Sequence, residues 1–477
     1  MMSEKSLLIA PLLRATRPPA ILALVPSSEL SDYRSFLDTK ARLATGSGFH
    51  VDLPDWLYPF QDALVDWTLA QGRAAIFADC GLGKTPMQLA WADAVQRHEG
   101  RPVLILTPLA VAAQTEAEAH KFGVEAAVSR DGRPVAALTI TNYERLHLFS
   151  PDDYAGVVCD ESSAIKAFDG VRRAMVTEFL RRIRYRLLCT ATAAPNDYIE
   201  LGTSSEALGQ LGYVDMLGRF FTNDNRARYR GQEAPWRFKG HAEVPFWRWV
   251  ASWARAMRRP SDLGFADDGF DLPPLDYRQH IVTARAAAPG RLFDMPAINL
   301  REEQEETRRT INERCERATD LLASAERGIA WCQLNDEGDL LARLTGGVQV
   351  KGSDPLESKE ETLTAFSRGE IRVLVTKPSI AGWGLNWQHC HRMTFFPTHS
   401  YEQFYQAVRR CWRFGQQSSV TVDIVTTEGG GNVLKNLERK ARQADAMFDA
   451  LVTHMRDAMH IRAVTDYDQD VMVPAWL

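Results

Sequence analysis

The sequence predicts an α/β protein built on two parallel sheets, and three observations lead there. Short apolar, β-rich runs recur along the chain, helix-length amphipathic segments separate them, and the runs are near-continuously apolar, as strands covered on both faces are. In the first half the runs fall at 73–79, 101–108, 137–143, 154–161 and 185–192; in the second they fall at 327–334, 346–352, 372–378, 391–397 and 420–427. With 477 residues, 25% of them charged and 45% hydrophobic, the chain has ordinary globular composition and the length for two or three domains. A net charge of -5 excludes a general polyanion sponge and leaves room for a local basic groove.

Between the two sets of runs the pattern breaks. Residues 203–285 are rich in Arg and Trp and show no strand-like run, ending in the turn sequence DLPPL at 271–275. The expected organisation is therefore an N-terminal extension at 1–50, a first lobe at 51–285 that includes a helical Arg/Trp-rich insertion at about 203–270, and a second lobe at 286–477 with a C-terminal helix. Residues 301–326 read as a charged helix leading into the second sheet, and the segment after 430 reads as a long amphipathic helix. The apolar patches of the first 25 residues are broken by Arg14, Arg17, Pro18 and Pro19, so neither makes a signal core or a membrane span. Seven cysteines without a C-x-x-C pair read as reduced thiols, and the expected location is cytoplasmic. Adjacent His389, Cys390 and His391 lie in a strand-like run, where neighbouring side chains point to opposite faces, and read as ordinary strand residues.

The first apolar run leads directly into CGLGKTPMQLAWADAV: strand, glycine-rich loop, Lys-Thr and helix, in the order a phosphate-binding loop requires. The spacing Ala78-x-x-x-x-Gly83-Lys84-Thr85 fits, with Ala in place of the first glycine. Backbone N–H groups around Gly81, Leu82 and Gly83 can wrap a phosphate, Lys84 can reach its outer oxygens, and the Thr85 hydroxyl can ligate Mg2+. GVVCDESSAIK supplies the second carboxylate-bearing strand: Asp160 on the metal side and Glu161 as the base that orients or deprotonates water. Two adjacent acids at the end of a buried strand are costly unless they face a site, and strand carboxyl ends are where α/β sheets bind ligands.

Taken in order, these segments resemble helicase superfamily two, DEAD/DEAH-box-like, and within it the Swi/Snf-type DNA-dependent ATPases. YPFQ at 58–61 resembles the glutamine motif that reads adenine, implying Gln61 as a base contact. Residues 106–122 and 140–146 resemble the next two motifs, and Asp160, Glu161, Ile165 and Lys166 match the DEAH-x-I-K pattern, with Ser163 where the family has His and Gln114 in place of a common Trp. CTATAAPND resembles the Ser/Thr-Ala-Thr motif and implies that Thr190 and Thr192 couple hydrolysis to domain movement. In the second half, PSIAGWGLNWQ resembles the fifth motif at Ala381, Gly382, Gly384, Leu385 and Asn386, where small residues let backbone approach the nucleotide. QAVRRCWRFGQ resembles the sixth at Gln406, Arg410 and Arg413; the two arginines, three apart, share a helix face, with Arg413 as the arginine finger and Arg410 its partner. Arg409 falls off that spacing and is read as serving DNA or solvent.

The resemblance implies two RecA-like lobes, each a parallel sheet flanked by helices, with ATP and Mg2+ in the cleft and DNA, double-stranded rather than RNA, across both lobes. Thr107, Pro108, Lys351, Gly352 and Thr376 are nucleic-acid contacts by resemblance alone. In the insertion, nine Lys/Arg against two acids at 226–260, with interleaved aromatics, suit a nucleic-acid groove containing Trp236 and Arg237. The alternative is a helical layer with Trp247, Trp249 and Trp253 in its core and arginines reaching outward. Implied function is a motor on duplex DNA, with a nuclease or methyltransferase as a possible separate partner; a strand-separating helicase and an ATP-regulated clamp are the alternatives.

Overall fold

Successive residues of the first strand divide between two cores: Ala75 and Phe77 join one, Ile76 and Ala78 the other, so both faces of its sheet are covered. The computed structural model describes residues 46–108, 111–167, 170–194, 197–223, 236–283, 285, 300–381 and 386–465. Strands β1 (Arg73–Ala78), β2 (Val103–Thr107), β3 (Ala126–Val128), β4 (Leu138–Asn142), β5 (Gly156–Cys159) and β6 (Tyr185–Cys189) form the first parallel sheet. Helices α1 (Pro59–Gln71), α2 (Lys84–Glu99) and α3 (Ala112–Lys121) bury apolar residues in one of its cores.

The insertion is not purely helical, which corrects the sequence reading. Phe221–Asn223 (β7) and Trp236–Phe238 (β8) pair antiparallel, and Ala254–Met257 (β9) lies parallel to β1 as a seventh strand, giving the order β3-β4-β2-β5-β6-β1-β9. A four-residue strand with an arginine at its second position carries almost no apolar signal; Arg255 is accommodated because its guanidinium lies 3.8 Å from the ring centre of Trp67. The intervening helix α4 (Glu243–Trp253) drives Phe246, Trp247, Trp249, Val250 and Trp253 into the second core of the first sheet. Those tryptophans are therefore core residues and not a stacking platform.

The second sheet also begins earlier than expected. Strand β10 (Leu275–Val282) pairs in register with β15 (Val420–Thr427), so the boundary at 285/286 is corrected to a point before Leu275. Its Asp, Arg, Gln and His residues gave it the look of a linker; it can carry them because it is the edge strand, and His280 reaches Asp423 at 2.7 Å. The remaining strands, β11 (Gly328–Trp331), β12 (Val348–Gln349), β13 (Val373–Thr376) and β14 (Arg392–Phe395), complete the parallel order β10-β15-β14-β11-β13-β12. The charged segment at 301–326 is two helices, Leu300–Arg309 and Ile311–Leu322.

After α5 (Tyr401–Val408) and β15, the long helix α6 (Gly431–Thr465) leaves the second lobe and packs on the first. Near its start Asn436 and Lys440 bond to the His399 ring and carbonyl at 2.9 and 2.6 Å. Farther along, Met447, Phe448, Leu451, Val452 and Met455 enter the core that contains α4 and β9, while Arg258 pairs with Asp445 at 3.1 Å. An amphipathic stripe states that a helix needs a cover but not whose, so assigning α6 to the second lobe alone is corrected here. No described helix is long and apolar enough to cross a membrane. Replacing fully buried Leu451 with Ala should lower the stability of the first lobe by about 2–5 kcal/mol. The readout is the guanidinium midpoint of the tryptophan fluorescence; an unchanged midpoint would mean that α6 is not part of that core.

Candidate functional site

The strand order places β6 between β1 and β5, and the segments that follow β1 and β5 open onto one cleft of about 470 Å³. That volume lies in the range of small-ligand sites. After β1 the chain turns through Gly81 (φ 94) and Gly83 (φ 74) into the N-terminus of α2. Gly81 is required by contact as well as by φ, since a Cβ there would sit 2.6 Å from Phe414 N; at Gly83 the positive φ decides, the near atom being the end of the Gln61 side chain. Gly81, Gly83, Lys84 and Thr85 line the cleft, while Leu82 is buried in the core below. Lys84 Nζ donates to the carbonyls of Ala78 at 3.0 Å and Asp79 at 3.4 Å, which holds the ammonium over the end of β1.

Gln61 lines the cleft with its amide engaged by the chain around it. Its Oε1 accepts from Tyr58 N at 3.1 Å and its Nε2 donates to the Leu82 carbonyl at 3.0 Å, so the amide braces the phosphate loop. The aromatic side of the cleft is built from Trp56, Tyr58, Phe122, Phe270 and Phe414. Phe414 and Phe270 stack with centres 5.0 Å apart, and Trp56 and Phe122 at 4.6 Å. Tyr58, Phe122 and Phe414 fall within motif segments and Trp56 and Phe270 do not, but none of the rings is marked as a cleft residue by sequence, because lone aromatics carry no periodic signal.

At the end of β5, Asp160 and Glu161 face the cleft and both are buried. Gln88, one helical turn beyond Thr85, donates to Asp160 Oδ1 at 2.7 Å; the i,i+3 spacing was the available clue to it. Burial, and then the neighbouring Glu161, push the Asp160 carboxyl up to about 6, with Gln88 and Lys84 opposing. Glu161 is the one described non-glycine residue with positive φ, at 45°. Such a backbone costs about 1–3 kcal/mol and persists where the surroundings impose it. Two buried carboxylates beside the Thr85 hydroxyl are a hard-oxygen donor set that fits Mg2+. Among the described residues no group of three or more His, Cys, Asp or Glu gathers to hold a metal, and all seven cysteines are free and buried.

From Glu161 a polar path crosses to the second lobe. Thr190 Oγ1 donates to Glu161 Oε2 at 3.2 Å and accepts from Thr192 N at 3.0 Å; Thr192 Oγ1 meets Glu402 Oε1 at 3.2 Å and Gln406 Nε2 at 3.5 Å. Gln406 thus touches the Thr192 hydroxyl and does not line the cleft, which corrects its assignment as a nucleotide contact. Ser163 is buried, and its hydroxyl has no hydrogen-bond partner among the described residues.

The second lobe brings Arg410 and Arg413 to the cleft wall facing the phosphate loop. Arg410 is buried and bonds through Nε to the Gln406 carbonyl at 3.1 Å, and Arg413 Nε is buried without a hydrogen-bond partner among the described residues. Burial, reinforced by Arg410 alongside, pulls the Arg413 guanidinium down to about 10. Asn386 also lines this wall with a buried, unpartnered Oδ1; Gly384 lies outside the described residues. Arg409 faces neither DNA nor solvent: it is buried in an ion pair with Asp79.

The proposed nucleic-acid residues are scattered. Thr107 and Thr376 are fully buried with their hydroxyls on the carbonyls of Thr141 and Val350, so neither offers a side chain to a ligand. Lys351 pairs with Asp339 at 2.8 Å on the surface, Gly352 beside it is exposed and Pro108 half-buried. Trp236 and Arg237 stand on β8, half-buried and exposed.

No family model matches the chain. It is 24% identical over 419 residues to protein p41 of Acyrthosiphon pisum secondary endosymbiont phage 1, spanning 74% of this chain and 87% of that protein. Among solved structures it is similar to the Sulfolobus solfataricus SWI2/SNF2 ATPase core in complex with dsDNA, with a TM-score of 0.38 and 15% identity, over 85% of this chain and 95% of that one.

A carboxyl raised to about 6 must lose its proton before it can hold a cation. Mg2+-dependent binding of a fluorescent ADP should therefore weaken about tenfold per unit as the pH falls below about 6. In Asp160→Asn the binding should be weak and flat across the same range; a wild-type profile that is flat would remove Asp160 from the metal side.

Proposed function

We propose that this chain is an ATP hydrolase of helicase superfamily two, Swi/Snf-type, that couples hydrolysis in the interlobe cleft to movement on double-stranded DNA. One observation carries the hydrolase reading: Arg410, buried, and Arg413, half-buried with its Nε enclosed, repel one another and confront a glycine-rich loop, a lysine and two carboxylates across a single cleft. Two guanidiniums on one wall call for an anion, and two acids on the other call for a cation. A nucleoside triphosphate with its divalent ion satisfies both demands at once.

Each residue then has a distinct task. The loop at Gly81–Gly83 and the N-terminus of α2 hold phosphate oxygens through backbone N–H groups, with Lys84 adding its positive charge. Thr85 and Asp160 are the residues to hold Mg2+, which when bound neutralises charge developing on the outer phosphates. Glu161, its carboxylate steadied by Thr190, orients the attacking water and accepts its proton. Arg413, with Arg410 beside it, stabilises the charge that spreads over the transferring phosphoryl oxygens. The rings of Phe270 and Phe414 offer the base a stacking wall, with Gln61 bracing the loop from behind.

The hydrogen-bonded path through Thr190 and Thr192 to Glu402 and Gln406 supports coupling, because displacement of Glu161 is passed to α5, which runs into the turn, and not the expected helix face, that carries Arg410 and Arg413. The duplex-DNA part of the proposal rests on the order of motifs in the chain. Among the candidate contacts, Pro108, Lys351, Gly352, Trp236 and Arg237 keep accessible surface.

The test is steady-state ATP hydrolysis with no nucleic acid, single-stranded DNA, duplex DNA and RNA. Duplex should stimulate most; Glu161→Gln should lower kcat by about 10²–10⁴, and Arg413→Ala by about 10³–10⁵. Stimulation by single strands or RNA alone would turn the reading to strand separation. ATP binding with no hydrolysis under any condition would turn it to a regulated clamp.

A further inference from the structure

Beside the phosphate loop an interlobe contact joins Asp79, at the end of β1, to Arg409, directly ahead of Arg410. Arg409 meets the carboxylate with two nitrogens: Nε reaches Oδ1 at 3.1 Å, and Nη2 pairs with Oδ2. The Tyr405 hydroxyl also donates to Asp79 Oδ1, as does Cys80 N at 2.6 Å. Arg409 Nη1 donates back to the Trp412 carbonyl at 3.2 Å, and the guanidinium lies 4.6 Å from a Trp412 ring centre. The two side chains are 3% and 13% exposed, so the pair is nearly dry.

A guanidinium gripping a carboxylate at two points fixes angle as well as distance, which a single ammonium contact cannot do. Arg409, Arg410 and Arg413 follow one another at the end of α5, so seating the first on Asp79 fixes the direction of the other two. The same seating brings the Phe414 backbone against Gly81, where only glycine fits. Opening the lobes would return both charges to water, and the attraction lost would be largely offset by the hydration regained. The pair is thus suited to hold geometry without locking the cleft shut.

We infer that Asp79 and Arg409 are positioning residues, an interlobe pin that sets Arg410 and Arg413 on the transferring phosphate when the cleft closes. The pin acts through the arginines and rests on the hydrolase reading above. Asp79→Asn and Arg409→Gln should each lower kcat about 10- to 100-fold, the scale of a misplacement near 1 Å. Affinity for a fluorescent ATP analogue should stay within about threefold, because the phosphate loop itself is intact. The reversed pair Asp79→Arg with Arg409→Asp should regain at least about tenfold over the weaker single variant. A reversed pair no better than the singles at preserved analogue binding overturns the inference, as does a single variant with wild-type kcat.

Spin labels at Arg97→Cys and Glu361→Cys, both exposed, give a second readout, and the native cysteines are buried. With ADP and aluminium fluoride the wild-type separation measured by pulsed EPR should be narrow, and Asp79→Asn should broaden it. An unchanged distribution in that variant also overturns the pin. If the wild type hydrolyses no ATP, the hydrolase reading fails by itself, while the EPR comparison still decides whether this ion pair holds the lobes in register.

Discussion

Arg410 is buried and Arg413 half-buried beside it, and two guanidinium groups keep such company only where the fold holds them against their repulsion; the architecture of this protein follows from that constraint. Arg410 and Arg413 come from one turn of the second lobe, and Asp160 and Glu161 from one strand end of the first. Each pair is unfavourable by itself: burial and like charge lower the affinity of Arg413 for its proton and raise that of Asp160. Facing one another, the two pairs leave a cleft with positive and negative walls, whose complement is a polyanion carrying a cation. A single sheet could supply only one wall at its strand ends, so the second lobe completes the site.

What keeps the walls at working distance is a small set of polar contacts and one helix. Thr192 meets Glu402 and Gln406, Asp79 meets Arg409 and Tyr405, and α6 is bonded to His399 of the second lobe before burying its apolar stripe in the first. The polar contacts are exchangeable with water, whereas the apolar burial of α6 is continuous with the tryptophan-rich core under α4 and β9. Of the two kinds of tie, the apolar burial of α6 is the costlier to break.

Ten strand positions were legible because parallel strands covered on both faces are written as apolar runs, and all ten contain strands of the two sheets. Five strands, β3, β7, β8, β9 and β10, were not. Each is short or polar, and an edge or hairpin position removes the demand for apolar residues on both faces. The insertion's tryptophans illustrate a different limit. Their spacing is the same whether they face a core or a ligand, and the burial of Trp247, Trp249 and Trp253 was decided by the sheet that β9 extends.

By itself the sequence determined the groups that must lie together within one segment: the glycines, Lys84 and Thr85 of the loop, the adjacent acids at 160 and 161, and the arginines at 410 and 413. Local spacing dictates such groupings, because a strand end, a tight turn or one helical turn leaves few places for neighbouring side chains to go. Tertiary structure decided which distant segment each group meets. It set Gln61 against the Leu82 carbonyl, turned Gln406 toward Thr192, buried Thr107 and Thr376, and carried α6 to the first lobe. It also converted Arg409 from an off-pattern charge into the partner of Asp79. Those outcomes depend on contacts between residues up to 330 positions apart, where burial and charge complementarity act only after both lobes have formed.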